Sequence, residues 1–209
     1  MWLAGALAGF AVLGPALGPG SLLSLDLVVA PRIPVPAGVW GLGPELPRRV
    51  PYGVVLAWLS SALTGPLAVK GLLLAAVAVA FVGATCLVAD APVWARLGAG
   101  LTYALSPFLL TRIGAGHLGV VAAYAVLPWA LPVLLRPGDR VARTFLWAVA
   151  LACTGFAGGL LALALVLAGI VAEGGRRWAS VLGAAVAAQA PWLVPGIVVA
   201  VAGTGITDS

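Results

Sequence analysis

Apolar residues fall in long blocks, and the breaks between them collect the charges, glycines and prolines. The block at 67–88 (LAVKGLLLAAVAVAFVGATCLV) has the roughly 20 apolar residues that one bilayer crossing needs. It predicts a transmembrane helix, with Lys70 near its start snorkelling to the interface. Residues 2–17 predict a first helix. A signal peptide is the other reading, but no Lys or Arg precedes the run as a charged n-region would. Residues 52–66 are too short to cross and carry Tyr52 and Trp58, types that suit the headgroup level. They predict an interfacial helix, or else the first half of the next crossing. Residues 97–113 predict a helix kinked at Pro107, 118–135 a return crossing, and 179–202 a last helix with Pro191 and Pro195 near its middle.

Residues 144–172 form one apolar run with two readings. One tilted helix would put the following gap, EGGRRW, on the opposite side from RPGDRVAR at 136–143. Two short helices broken at Gly155 to Gly159 would put both arginine gaps on one side, which the positive-inside rule favours. The second reading gives an all-α polytopic transmembrane domain of about seven crossings over residues 1–209. The N-terminus and the gaps at 89–96, 136–143 and 173–178 are then cytoplasmic. The 18–53 loop and the GAGH break at 114–117 lie outside.

The 18–53 loop interrupts the apolar pattern most. It holds seven prolines, from Pro19 to Pro51, together with Asp26, Arg32, Glu45, Arg48 and Arg49. So many prolines exclude a continuous helix, because each removes a backbone donor and crowds the preceding turn. A polar, irregular segment of this kind lies outside lipid or lines a cavity. Its arginines stand outside the membrane, against the positive-inside rule, which asks for a function or an anionic lipid partner.

Composition narrows the class. The 209 residues are 63% hydrophobic and 8% charged, against about 25% charged in a soluble domain. An integral membrane protein with lipid neighbours follows. The net charge of +5 sits mostly in short gaps and reads as topology, not as a nucleic-acid surface. Cys86 and Cys153 lie in apolar runs and read as small buried hydrophobes. One histidine and no Cys/His cluster speak against zinc. No P-loop, dinucleotide fingerprint or Ser/His/Asp hydrolase pattern is present.

Several phrases in this order resemble a known family. Asp26 follows the first helix in SLLSLDLVVAP, and the proline-rich loop and short helix come next. Then come ARLGAGLTYALSPFLLTRIGAGHLG, YAVLPWALPVLL and PWLVPGIV. The order is similar to the N-terminal membrane part of GT-C glycosyltransferases, above all the polyprenyl-phosphate-sugar enzymes of bacterial cell-wall assembly, including the arabinofuranosyltransferases. The resemblance implies transfer of a sugar from a polyprenyl phosphate to an envelope glycan or lipid acceptor on the outer face. It implies Asp26 as the general base. Family members are usually longer, so the chain reads as an N-terminal fragment of such an enzyme. Many carry a paired acidic motif where this chain has a lone Asp, so no metal or other cofactor is implied.

The residues themselves allow plainer readings. Asp26, between Leu25 and Leu27, is either a base whose apolar neighbours raise its pKa or a helix cap or loop charge facing water. Arg112 and His117 flank the GAG break and suit a donor phosphate, since guanidinium matches phosphate geometry and imidazole can donate or shuttle a proton. Otherwise they mark a helix end among headgroups. Arg48 and Arg49 are candidates for the same phosphate, or for anionic headgroups. The alternatives at the level of function are a transporter or flippase subunit and a non-catalytic membrane scaffold. Scarce ionisable residues inside the crossings speak against coupled transport.

Overall fold

The computed structural model describes residues 1–20, 27, 30–33, 51–136, 141–173 and 178–202. Among these residues every regular element is a helix: α1 (Trp2–Leu13) and a 3-10 turn (Gly14–Leu17), α2 (Tyr52–Ala62), α3 (Gly65–Leu87), α4 (Val93–Ala104), α5 (Pro107–Ala115), α6 (Leu118–Leu134), α7 (Val141–Ala152), α8 (Phe156–Glu173), α9 (Trp178–Ala187) and α10 (Ala190–Ala202). They belong to two compact units, one of residues 1–33 and 59–132, the other of 34–58 and 133–209.

In the first unit α3 is the central post. Val69, Leu73, Val77, Ala80 and Phe81 are wholly or almost wholly buried along it. Small residues let its neighbours approach, as in membrane helix pairs. On α1, a Cβ at Gly5 would lie 3.0 Å from the Ala78 carbonyl oxygen, and one at Gly9 would lie 2.9 Å from Leu74. On α4, Gly100 leaves room for the Phe81 ring. From α6, Trp129 lies over Gly83, donates from Nε1 to the Val79 carbonyl at 3.1 Å, and stacks on Trp2.

In the second unit α7, α8 and α9 pack together. The 144–172 run is two helices, and the break falls at Cys153–Gly155, where Gly155 takes φ +120°. Gly158 and Gly159 therefore belong to α8, not to the break as expected. Thr154 Oγ1 donates to the Leu151 carbonyl at 2.7 Å there. The expected single helix at 179–202 is also two, α9 and α10, bent by 59°. Gln189, only 2% exposed, makes the bend. Its backbone N–H turns to the Val186 carbonyl, and its side-chain Nε2 donates to the Ala185 carbonyl that the bend leaves over. Its Oε1 accepts from Trp192 Nε1 at 2.9 Å, in the space that Gly159 provides. Pro191 then sits in the first turn of α10, where a missing N–H costs nothing.

The same rule corrects the 97–113 helix. Pro107 does not kink it but starts α5, with Ser106 as its cap. Breaks of this kind shorten the helices. Among the described residues α3 alone is long and apolar enough to cross a membrane, and the bent α9–α10 pair would make a second span. Helices α1, α2, α6, α7 and α8 are apolar but shorter. Lys70 does not snorkel; it is 7% exposed. Cys86 is exposed and Cys153 half-buried, so neither is the fully buried hydrophobe expected. Large apolar side chains stand exposed on α1 (Leu3), α4 (Trp94), α7 (Leu146) and α8 (Val171).

Candidate functional site

The site candidate grows out of two prolines. In a helix, each carbonyl accepts from the N–H four residues on, and proline has none to give. Pro107 removes the N–H that would bond the Tyr103 carbonyl in a continued helix, leaving it the Ser106 N–H at 3.3 Å, and Pro128 removes the one that would bond the Tyr124 carbonyl. Each carbonyl also accepts from the hydroxyl of the other tyrosine. Tyr103 Oη donates to the Tyr124 carbonyl at 2.9 Å, and Tyr124 Oη donates to the Tyr103 carbonyl at 3.0 Å. The rings stack between them, with centroids 4.1 Å apart and planes 14° from parallel.

Ser106 extends the clasp. The single proton of the Tyr124 hydroxyl is spent on the Tyr103 carbonyl. Ser106 Oγ, 2.8 Å from that hydroxyl, must therefore donate to it. Its lone pair meanwhile accepts from the Leu109 N–H at 3.2 Å and caps α5. The short helix α5 is thus fixed at its start to α4 and α6 together.

Its end is fixed by a turn. Gly116 adopts the left-handed conformation (φ 81°, ψ 18°), which an L side chain rarely takes. Its N–H donates to the Ile113 carbonyl and that of His117 to the Arg112 carbonyl, both at 3.0 Å. The reversal folds His117 back over the last turn of α5 and brings its Nδ1 within 3.2 Å of Arg112 Nη1. Arg112 lies over the Phe108 ring, its Cζ 5.3 Å from the centroid, and its place in the last turn suits the negative end of the helix dipole. Its buried Nε has no hydrogen-bond partner. Among the described residues no acid pairs with it, and the cation is held by a ring and an imidazole.

Against this turn lies Leu27, the residue that follows Asp26. A Cβ on Gly116 would come 2.6 Å from Leu27 Cβ and 2.8 Å from its N. The chain on either side of Leu27 is also fastened to the first unit. Lys70 Nζ donates to the carbonyls of Gly18 and Gly20, at 2.5 and 2.8 Å. The Gly65 N–H donates to the Pro31 carbonyl at 2.7 Å, and Ser60 Oγ accepts from the Ile33 N–H at 3.0 Å. The buried ammonium explains why Lys70 is not at the interface: it serves the carbonyls left over where the chain leaves the 3-10 turn. Lys70→Met keeps the length but removes the donors. It is expected to cost about 2 kcal/mol, the scale of a charged hydrogen bond. Amide exchange should rise over residues 14–20 with α8 unaffected; unchanged exchange there would show that the ammonium does not hold this segment.

Of the residues singled out from the sequence, Arg112 and His117 are brought together. Asp26, Arg48 and Arg49 lie outside the described residues. Among those described, no three His, Cys, Asp or Glu side chains converge as metal ligands. Arg96, in the first turn of α4, also has a buried Nε without a partner. Sequence reasoning did not single out Tyr103, Ser106 and Tyr124 one by one. Their signal was the repeated spacing Tyr-x-x-x-Pro-aromatic, in YALSPF and YAVLPW. No protein-family model, curated protein or solved structure matches this chain.

Proposed function

We propose that the chain is a multi-pass plasma-membrane glycosyltransferase of GT-C type, or the membrane part of one. It transfers a sugar from a polyprenyl phosphate to an envelope glycan or lipid acceptor on the outer face. The observation that carries this reading is the Arg112 site: a guanidinium on an aromatic ring, paired with an imidazole, with no acid against it among the described residues, at a turn packed beside Leu27. A phosphate is the ligand that such a planar cation fits best. The exposed apolar side chains on four helices support lipid surroundings, because water would leave each at a cost of about 1.5–3 kcal/mol. The seven-crossing topology belongs to this proposal, with the short apolar helices crossing as broken or tilted segments and α2 lying along the surface.

In this reading the Asp26 carboxylate takes the proton of an acceptor hydroxyl. The hydroxyl oxygen bonds to the anomeric carbon, and the bond from that carbon to the donor phosphate breaks. The prenyl phosphate leaves with the electron pair, its gathering charge met by Arg112, with Arg48 and Arg49 as further donor-phosphate contacts.

The test is transfer from a labelled polyprenyl-phosphate sugar in nanodiscs, for the wild type and for Arg112→Lys. Lysine keeps the charge but loses the planar fork. KM for the donor is expected to rise about tenfold, the scale of one good hydrogen-bonded contact, with kcat little changed. A wild type that transfers nothing but lets solute into vesicles would replace the enzyme by a transporter.

A further inference from the structure

We infer that His117 is a positioning residue for Arg112, acting through Nδ1, and not a proton shuttle or a second phosphate donor through that atom. A guanidinium has five N–H donors and no acceptor. The atom facing Arg112 Nη1 at 3.2 Å is His117 Nδ1, so Nδ1 must accept and carries no proton. In the neutral imidazole the proton is then on Nε2. The bond is set by the backbone, because Gly116 reverses the chain at φ 81° and the His117 N–H is itself tied to the Arg112 carbonyl. The two side chains meet because the turn between them is closed at both its ends.

The effect falls on the guanidinium. Phe108 takes one face of it and His117 takes one Nη1–H. These two contacts fix the plane and rotation of the group. An arginine carries several rotatable bonds, and ordering such a side chain costs free energy when it binds. With that cost met in advance, a tetrahedral oxyanion of the phosphate-ester class finds its donors already aimed. That clause rests on the proposed reading of Arg112; the role of Nδ1 does not.

His117 is the chain's single histidine, so one labelled residue type gives one imidazole to observe. The experiment uses the full chain in nanodiscs with nitrogen-15 histidine. The expected spectrum shows an unprotonated Nδ1 and a protonated Nε2. A protonated Nδ1 in the wild type overturns the inference. Two variants separate the roles. In His117→Asn the amide oxygen can stand where Nδ1 stands; in His117→Gln the amide reaches the place of Nε2. Binding of a short-chain prenyl monophosphate should stay within about threefold of wild type for His117→Asn. It should weaken about tenfold for His117→Gln and His117→Ala. Better binding by the glutamine variant than by the asparagine variant overturns the inference. A wild type with the expected tautomer that binds no prenyl phosphate supports the positioning role and removes the proposed donor instead.

Discussion

Replacing Gly116 by valine is expected to destabilise the first unit by about 3 kcal/mol and to part Arg112 from His117. Two effects add. A β-branched residue in the left-handed region costs about 1–2 kcal/mol. The new Cβ would also lie 2.6 Å from Leu27 Cβ and 2.8 Å from Leu27 N, and overpacking of this kind costs about 1–3 kcal/mol. The second contact involves backbone, so no side-chain rotation can relieve it. Gly114, two residues earlier, is the control: it lies inside α5 and nothing comes within 4 Å of an added Cβ. Gly114→Ala should therefore be neutral, or stabilising by up to about 1 kcal/mol. Denaturant midpoints in mild detergent check both. Equal stability of the two variants would mean that Leu27 is not seated against the turn, and the reading of this turn as part of the site would lose its main support.

Asp26→Asn is expected to lower sugar transfer by about two to four orders of magnitude, the usual worth of a positioned general base. The amide is nearly isosteric but cannot accept a proton from the acceptor hydroxyl. Donor affinity should hardly change, because the phosphate is assigned to arginines. A fall in kcat with an unchanged donor KM is thus the expected signature, opposite to that of Arg112→Lys. Transfer that survives the substitution would take Asp26 out of the mechanism and leave the Arg112 site standing. A rise in donor KM instead would place Asp26 at the phosphate and not at the acceptor.

The helical class was legible because 63% of the residues are hydrophobic and fall in blocks. The helix ends were less so, because hydropathy does not distinguish a proline that kinks a helix from one that begins it. Pro107 and Pro191 both begin one. What decides this is a local acceptor or amide beside the proline, Ser106 in one case and Gln189 in the other. The split of 144–172 was visible as a glycine-containing stretch with an arginine gap on each side. Its position was not, because the side chain of Thr154 and the positive φ of Gly155 set it. Lys70 was misplaced because its acceptors lie 50 and 52 residues away in the chain, where no local pattern points. Of the candidate site, the five-residue spacing of Arg112 and His117 about a glycine break was legible, and the Tyr103–Tyr124 clasp was overlooked. Its two halves look alike in the sequence, but only tertiary packing shows that each completes the other.

That clasp also bears on how the chain is made. The Tyr103 carbonyl has a local donor in the Ser106 N–H at 3.3 Å, but its shorter bond, at 3.0 Å, comes from a residue twenty-one positions later, so α4 leaves the ribosome with its end incompletely bonded. On the proposed membrane reading no water makes up the difference in lipid, where a poorly bonded carbonyl is costly. Residues 93–134 would then be best inserted as one piece, with α4 waiting at the insertion machinery until α6 has arrived. Biogenesis on that reading is paced by a pair of prolines, and the short arm that carries Arg112 would enter the membrane already closed between its two posts.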